Sequence, residues 1–424
     1  MTEPRRIEIA KGIGMTVVTD PKYKTNSIAV NFVCSHSSEA AAANAAVAFM
    51  IEDTCKSYPT VTEFSKRLGM LYGASVNTGV MRHSDSVQIV AAGSCIADKY
   101  ALEGEDITCQ TARLLTDCIF DPVTELVNGE ECFPEKQFQL KKQELIDDID
   151  ADINDKRGYA LKNAGKIVYK GEPSGIPIKG DHSQAEALTA AEVYRAYKNI
   201  LRTARIEIVY VGCEISKECE ELLIKLFSEM ERGEVYTLTN SVSPVKAETA
   251  YKTDRLEVAQ SKMVMAYKTD KTGYGITKLF TALLGGTPFS LLFKNVREKL
   301  SLCYYCSASA NRKKGTLFID SGVENENIEA AKVEIMKQAE MAAKGEFSDE
   351  LLEKTKLLIT CALKSVYDYP KSAADWIADG YLDGEIITPE EAAEQINAVT
   401  REQICEYGAS LRLDTVYVLT GKEE

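Results

Sequence analysis

Apolar positions in this chain recur with two periods, and the change between them marks out strands and helices. Eight segments alternate, or run apolar, between turn residues and predict strands: GMTVVTD, SIAVNFV, ASVNTGV, SVQIVAA, RIEIVYVG, KMVMAYKT, GTLFIDSG and DTVYVLTG. Helix starts are marked by capping boxes at Thr60/Glu63, Thr189/Glu192, Thr388/Glu391 and Thr400/Gln403, where two side chains three residues apart satisfy each other's backbone N–H groups. The stretch NAAVAFMIED, residues 44–53, follows a strand and reads as a helix. Its residues Asn44, Val47, Ala48 and Ile51 share one face at i, i+3, i+4 and i+7. Runs of strands and runs of helices predict an α+β fold, each half a largely antiparallel sheet with helices packed on one face.

The two halves repeat one another. TAAEVYRAYKNILRTARIEIVYVG (189–212) resembles TREQICEYGASLRLDTVYVLTG (400–421) as a capped helix, a basic turn and a strand ending in Gly. FSKRLGMLYGASVNTGVMRHSDSVQIVAAG (64–93) matches FKNVREKLSLCYYCSASANRKKGTLFIDSG (293–322) as helix, strand, turn, strand. Both offsets are close to half the chain, which indicates a duplicated domain; a solenoid would repeat every ~20–50 residues. The polar stretch GEVYTLTNSVSPVKAET (233–249), with its Ser-Pro pair, is the expected linker. The expected division is 1–232 for the first domain, 233–249 for the linker and 250–424 for the second domain.

Composition narrows the partners. Fifty Lys and Arg against 64 Asp and Glu give a net charge of −14, which argues against nucleic acid or an anionic membrane as the partner. No apolar run approaches the ~18–20 residues of a membrane span, and the opening MTEPRRIEIAKGIG has no apolar core to act as a secretory signal. The twelve cysteines lie mostly singly in apolar segments, such as Cys34, Cys118, Cys213 and Cys361, and read as reduced buried thiols of a cytoplasmic protein. Cys303 and Cys306 form C-x-x-C, but CYYCSAS reads as a strand, whose alternation would point the thiols to opposite faces.

Three segments carry a family resemblance: LFKNVREKLSLCYYCSAS (292–309), LLGG (283–286) before it, and KSYPT (56–60). In these the chain resembles the pitrilysin/insulinase family of zinc peptidases, most of all the short bacterial members and the mitochondrial processing peptidase subunits. The resemblance covers nearly the whole chain and implies two homologous halves facing each other as a clam. Active members carry an inverted H-x-x-E-H motif on the first-half helix. Its two histidines clamp Zn²⁺ from one helical face, and its glutamate deprotonates the metal-bound water. Here the motif falls on Asn44-Ala45-Ala46-Val47-Ala48, and the family's further Glu ligand falls near Asp148. Alanine and valine neither ligate a metal nor accept a proton. The only histidines, His36, His83 and His182, have no partner at helical spacing. The expectation is therefore no catalytic residue, no metal site and no cofactor in this chain.

What the resemblance leaves is Arg297 and Tyr304, whose motif positions in the family hydrogen-bond the substrate carbonyl. An arginine near a helix end and a tyrosine opening a strand are also ordinary structural choices. Acidic stretches at 147–155 and 381–395 read as solvated faces. Three functions follow. The first is a non-catalytic subunit that pairs with a zinc-bearing paralogue, zinc being held by that partner only, and supplies Arg297 and Tyr304 to a peptide substrate. The second is a stand-alone peptide-binding or scaffold protein, alone or as a homodimer. The third is a peptidase with a non-standard metal site. The first is favoured, because the metal half is erased while the Arg/Tyr half is kept.

Overall fold

The computed structural model of the chain describes residues 3–421. It forms two compact units. The first gathers the chain up to Asp150, then Ile176–Thr239 and Val366–Ile386; the second gathers Ala151–Gly175, Asn240–Ser365 and the chain from Ile387 onward. The main passage between them, at Thr239/Asn240, lies within 233–249, and neither unit is continuous in sequence.

The first unit is built on a six-stranded sheet. Its strands are β1 (Arg5–Ala10), β2 (Ile13–Thr19), β3 (Thr25–Ser35), β4 (Ser75–His83), β5 (Ser86–Ile96) and, after a small hairpin of β6 (Glu125–Val127) and β7 (Glu130–Cys132), β8 (Arg205–Gly212). The order is β1-β2-β8-β3-β5-β4, antiparallel except for the parallel pair β2/β8. β8 explains how the sheet is covered. Ile206, Ile208 and Tyr210 enter the main core with the helices, whereas Val209 and Val211 face the other way, onto Ala373, Ala374, Ile377 and Ala378. A strand apolar on both faces needs cover on both. The second cover is helix Pro370–Asp383, drawn from the far end of the chain.

The second unit repeats the plan with β9 (Ala250–Arg255), β10 (Ser261–Lys268), β11 (Cys303–Asn311), β12 (Thr316–Val323) and β13 (Arg412–Thr420) in the order β11-β12-β10-β13-β9. β13 lies between parallel β9 and antiparallel β10, as β8 lies between parallel β2 and antiparallel β3. The hairpin β11–β12 corresponds to β4–β5. Segments 189–212 and 400–421 thus hold equivalent places, as the repeat predicts. Here too one helix is borrowed: Lys156–Val168 packs Ala160 and Ala164 on Val264, Tyr417 and Leu419.

All eight predicted strands are present, as are the four capping boxes. Strands β1 and β9 are unforeseen: RRIEIA is half polar, and AYKTDR carries four polar residues of six. Both lie at the outer edge of their sheet, where one side remains open to water. Among the described residues no helix is long and apolar enough to cross a membrane.

Candidate functional site

Helix Ala41–Met50 stands where the resemblance puts the metal. It packs on helix Ala190–Thr203 and on β4 and β5. Eight of its ten residues are buried, five of them alanines, and these let the helix lie close to its neighbours. Val47 and Ala48 are each 1% exposed, and the Ala48 carbonyl accepts the Thr78 hydroxyl at 2.7 Å. Asn44 is the one polar side chain among the three motif positions, and it too is buried. A catalytic zinc needs three N, O or S ligands from the protein. A helix face of one carboxamide, one isopropyl and one methyl does not fit that ion. Asp148, the expected place of the further ligand, is ion-paired with Lys179. Among the described residues no group of three or more His, Cys, Asp or Glu side chains could hold a metal.

A cation does sit beyond this helix, but it belongs to the chain. Lys141, on helix Glu135–Ala151, is 8% exposed. Its ammonium lies 2.8 Å from Asp53, 3.0 Å from Glu144 and 3.6 Å from Glu52. Burial alone would push this ammonium down; the Asp53 and Glu144 carboxylates outweigh it and hold the group above its ordinary pKa. Burial raises Glu52 despite Lys141. Sequence reading missed Lys141 because it looks like one of many charges on a surface helix; only its burial separates it from the rest.

The three histidines lie apart. His83 on β4 meets Asp383 at 3.0 Å, His182 meets Asp150 at 2.9 Å, and His36 Nε2 lies 3.3 Å from the Ile176 carbonyl. Burial, reinforced by the Arg82 charge, lowers His36 from its ordinary 6.5. The folded state then binds fewer protons than the unfolded chain. The stability from keeping this ring neutral is full above pH 6.5 and is lost as pH falls toward the lowered folded value. Thermal melts between about pH 7 and 5 should fall more steeply for the parent than for His36→Gln. Parallel curves would refute this account of His36.

The second unit carries the other half of the resemblance. Its LLGG and FKNVREK segments fold as two π-helical turns, Ala282–Gly286 and Phe293–Lys299, both packed on β11. Such turns are rare and concentrate at functional sites. A Cβ at Gly285 would come 2.7 Å from the Ala308 backbone nitrogen, so only glycine allows this approach. Arg297 is exposed, its guanidinium 4.6 Å from the centre of the Phe293 ring, and has no ion pair among the described residues. Tyr304 is 65% exposed and hydrogen-bonds Glu324, whose carboxylate raises the phenol's pKa.

The thiols of C-x-x-C do not point to opposite faces. Cys303 pairs with Val323 and Cys306 with Ser321, with a bulge in between, so that Tyr304 and Tyr305 together oppose Gly322. The extra residue shifts the alternation by one and brings both sulfurs to one side. Gly322 is required, because a Cβ there would lie 2.6 Å from the Tyr305 ring. That ring is held on the opposite face under Arg157, 4.5 Å away, itself paired with Asp320.

One further cavity, of about 380 Å³, lies at the edge of the first sheet and is lined by Arg6, Arg205, Glu207 and Tyr236 among others. Both arginines are already bound to the buried Glu207.

Two units of one duplicated α+β plan, with a motif helix lacking metal ligands and a complete second-half signature, define a peptidase-like protein without the metal chemistry. Comparison with known proteins agrees. The family described as "Peptidase M16 inactive domain" matches residues 187–358. A Bacillus subtilis (strain 168) protein named "Probable inactive metalloprotease YmfF" is 25% identical over 416 residues, 97% of this chain and 96% of that one. A conserved protein of Enterococcus faecalis V583 superposes with TM-score 0.88 at 26% identity, covering all of both chains. A Pseudomonas fluorescens structure described as a peptidase M16 inactive domain shares the fold, with TM-score 0.81 at 15% identity over 100% of this chain and 99% of that one. The chain is thus similar, in fold and in sequence, to M16 peptidase homologues described as inactive, and the positions of the inverted zinc motif carry Asn44, Val47 and Ala48.

Proposed function

We propose that this chain is the non-catalytic subunit of a two-chain peptidase in the cytoplasm. It pairs with a zinc-bearing paralogue and lends Arg297 and Tyr304 to the bound peptide. The observation that carries this reading is an asymmetry: the motif helix retains no ligand, whereas the signature around Arg297 and Tyr304 is fully formed and leaves both side chains exposed. An exposed guanidinium with no ion pair among the described residues and an exposed phenol on the following strand each suit a peptide backbone or a developing oxyanion. The cytoplasmic placement draws on twelve free cysteines, ten of them buried.

The test is co-expression with a paralogue that retains H-x-x-E-H. A stable complex should form, carry zinc only through the partner's motif and cleave peptides that neither chain cleaves alone. Zinc near one per chain in the isolated protein, or peptide hydrolysis by it, would overturn the reading. Absence of any complex would favour the stand-alone peptide-binding protein, whose signature is peptide affinity without hydrolysis.

A further inference from the structure

We propose that the outer edge of β9 is a self-association surface, on which a second copy of this chain pairs antiparallel through its own β9. The two sheets differ at this point. β9 and β2 are counterparts, lying parallel to β13 and β8 respectively. In the first unit β2 is not outermost, because β1 pairs with it antiparallel. Helix Lys217–Ser228, which follows β8, packs against β1 and against helix Ile107–Phe120, and puts Cys219, Leu223 and Phe227 into the core. Among the described residues of the second unit, no segment takes the place of β1 or of that helix. β9 therefore ends its sheet with a row of backbone N–H and C=O groups that no strand pairs.

The missing cover also shows on the neighbouring helix. Helices Ile107–Phe120 and Ile328–Ala343 each follow the second strand of the equivalent hairpin. The first buries ten of its 14 residues and the second only five of 16, which leaves Val333 61% and Met336 42% exposed. Met336 lies one turn beyond Lys332, whose ammonium is 6.0 Å from the centre of the Tyr251 ring on β9. The uncovered apolar positions thus lie on the side of the helix that turns toward β9.

The side chains of β9 point to the occupant. Tyr251, Lys252, Thr253 and Arg255 are exposed. Lys252 and Asp254 share one face, 3.2 Å apart, and Asp254 also accepts the Tyr417 hydroxyl at 2.9 Å. Tyr251, Thr253 and Arg255 share the other face. A two-fold axis perpendicular to the sheet keeps every residue on its own face. With that axis at Thr253, Lys252 of each copy faces Asp254 of the other, and Tyr251 faces Arg255. Moving the axis one residue either way sets Lys252 against Lys252 or Asp254 against Asp254. Among these registers only the first is attractive on both faces. It also runs in the direction that β1 takes on β2, and it brings the two Ile328–Ala343 helices to one face of the joined sheet. A lysine at an edge normally repels other strands; with aspartate two residues on, it selects a copy of itself. The surface is small, so the dimer is reversible and concentration-dependent. Tyr304 lies on β11, the opposite outer strand, so this pairing does not rest on the function proposed above.

The experiment is analytical ultracentrifugation of the full-length protein over a wide range of concentration. The mass of the parent should rise from one chain to two. Lys252→Asp turns both ion pairs into like charges, as does Asp254→Lys, and each should raise the dissociation constant about tenfold or more. Lys252 is 57% exposed, so Lys252→Asp should melt like the parent. Mixed in equal amounts, the two variants regain opposite charges at both pairs and should dimerise with each other about as tightly as the parent does with itself. A parent that stays monomeric at the highest concentration would overturn the proposal. So would a Lys252→Asp variant with the dissociation constant of the parent, or a mixture no more associated than its two folded components.

Discussion

Replacing Arg297 by alanine in the assembled complex is expected to slow peptide cleavage on the order of 10²–10³-fold, equivalent to about 3–4 kcal/mol of transition-state stabilisation. The figure is that for removing one preorganised donor to a developing oxyanion. Arg297 is exposed and stacked on Phe293, so truncation removes little buried surface. The stability of the chain and the assembly of the complex should therefore remain as in the parent, with surface substitutions usually worth within about ±0.5 kcal/mol. Tyr304→Phe should act in the same direction and more weakly, since it removes one neutral donor and keeps the ring. Complexes of both variants that assemble, melt and cleave like the parent would show that neither side chain serves the substrate.

Replacing Lys141 by methionine is expected to lower the unfolding free energy of the first unit by roughly 2–4 kcal/mol. Removing one partner of a fully buried ion pair costs about 3–5 kcal/mol, and the part-exposed carboxylates around Lys141 recover some solvation. The variant has a pH signature. Glu52 already holds its proton more tightly than usual, and without the ammonium its charged form becomes costlier still. That cost disappears as pH falls and the carboxylate protonates, so the gap between parent and variant should close in acid. Lys141→Arg, which keeps the charge, should lose less. Chemical denaturation at neutral and acid pH measures both; a gap that stays constant with pH would mean that packing of the lysine stem, not its charge, carries the effect.

Much of this protein is legible from residue order. Strand alternation, capping boxes and the half-chain repeat are local patterns, and local patterns survive folding because each satisfies its own backbone or its own face. The loss of the motif is equally local: Asn44, Val47 and Ala48 supply neither an imidazole nor a carboxylate in any fold. The resemblance around 292–309 likewise picked out Arg297 and Tyr304 by position alone. Strands β1 and β9 escaped because outer strands with an open side need not be apolar, and hydrophobicity was the signal being read.

The tertiary structure decided what depends on partners distant in sequence. Which unit receives helices Lys156–Val168 and Pro370–Asp383 is settled by the two-sided apolar strands β13 and β8, each needing a second cover that no nearby segment supplies. The burial of Lys141 depends on Glu52 and Asp53, carried on a different segment some ninety positions earlier. The placing of Cys303 and Cys306 on one face turns on a single unpaired residue opposite Gly322, which strand periodicity cannot reveal because the period assumes a one-to-one ladder. The sequence alone determined the duplicated plan and the empty metal helix, since both are written in side-chain type and spacing. Only the folded chain determined the buried cation and the placing of the two cysteines on one face, since both arise from contacts between segments that the order of residues does not bring together.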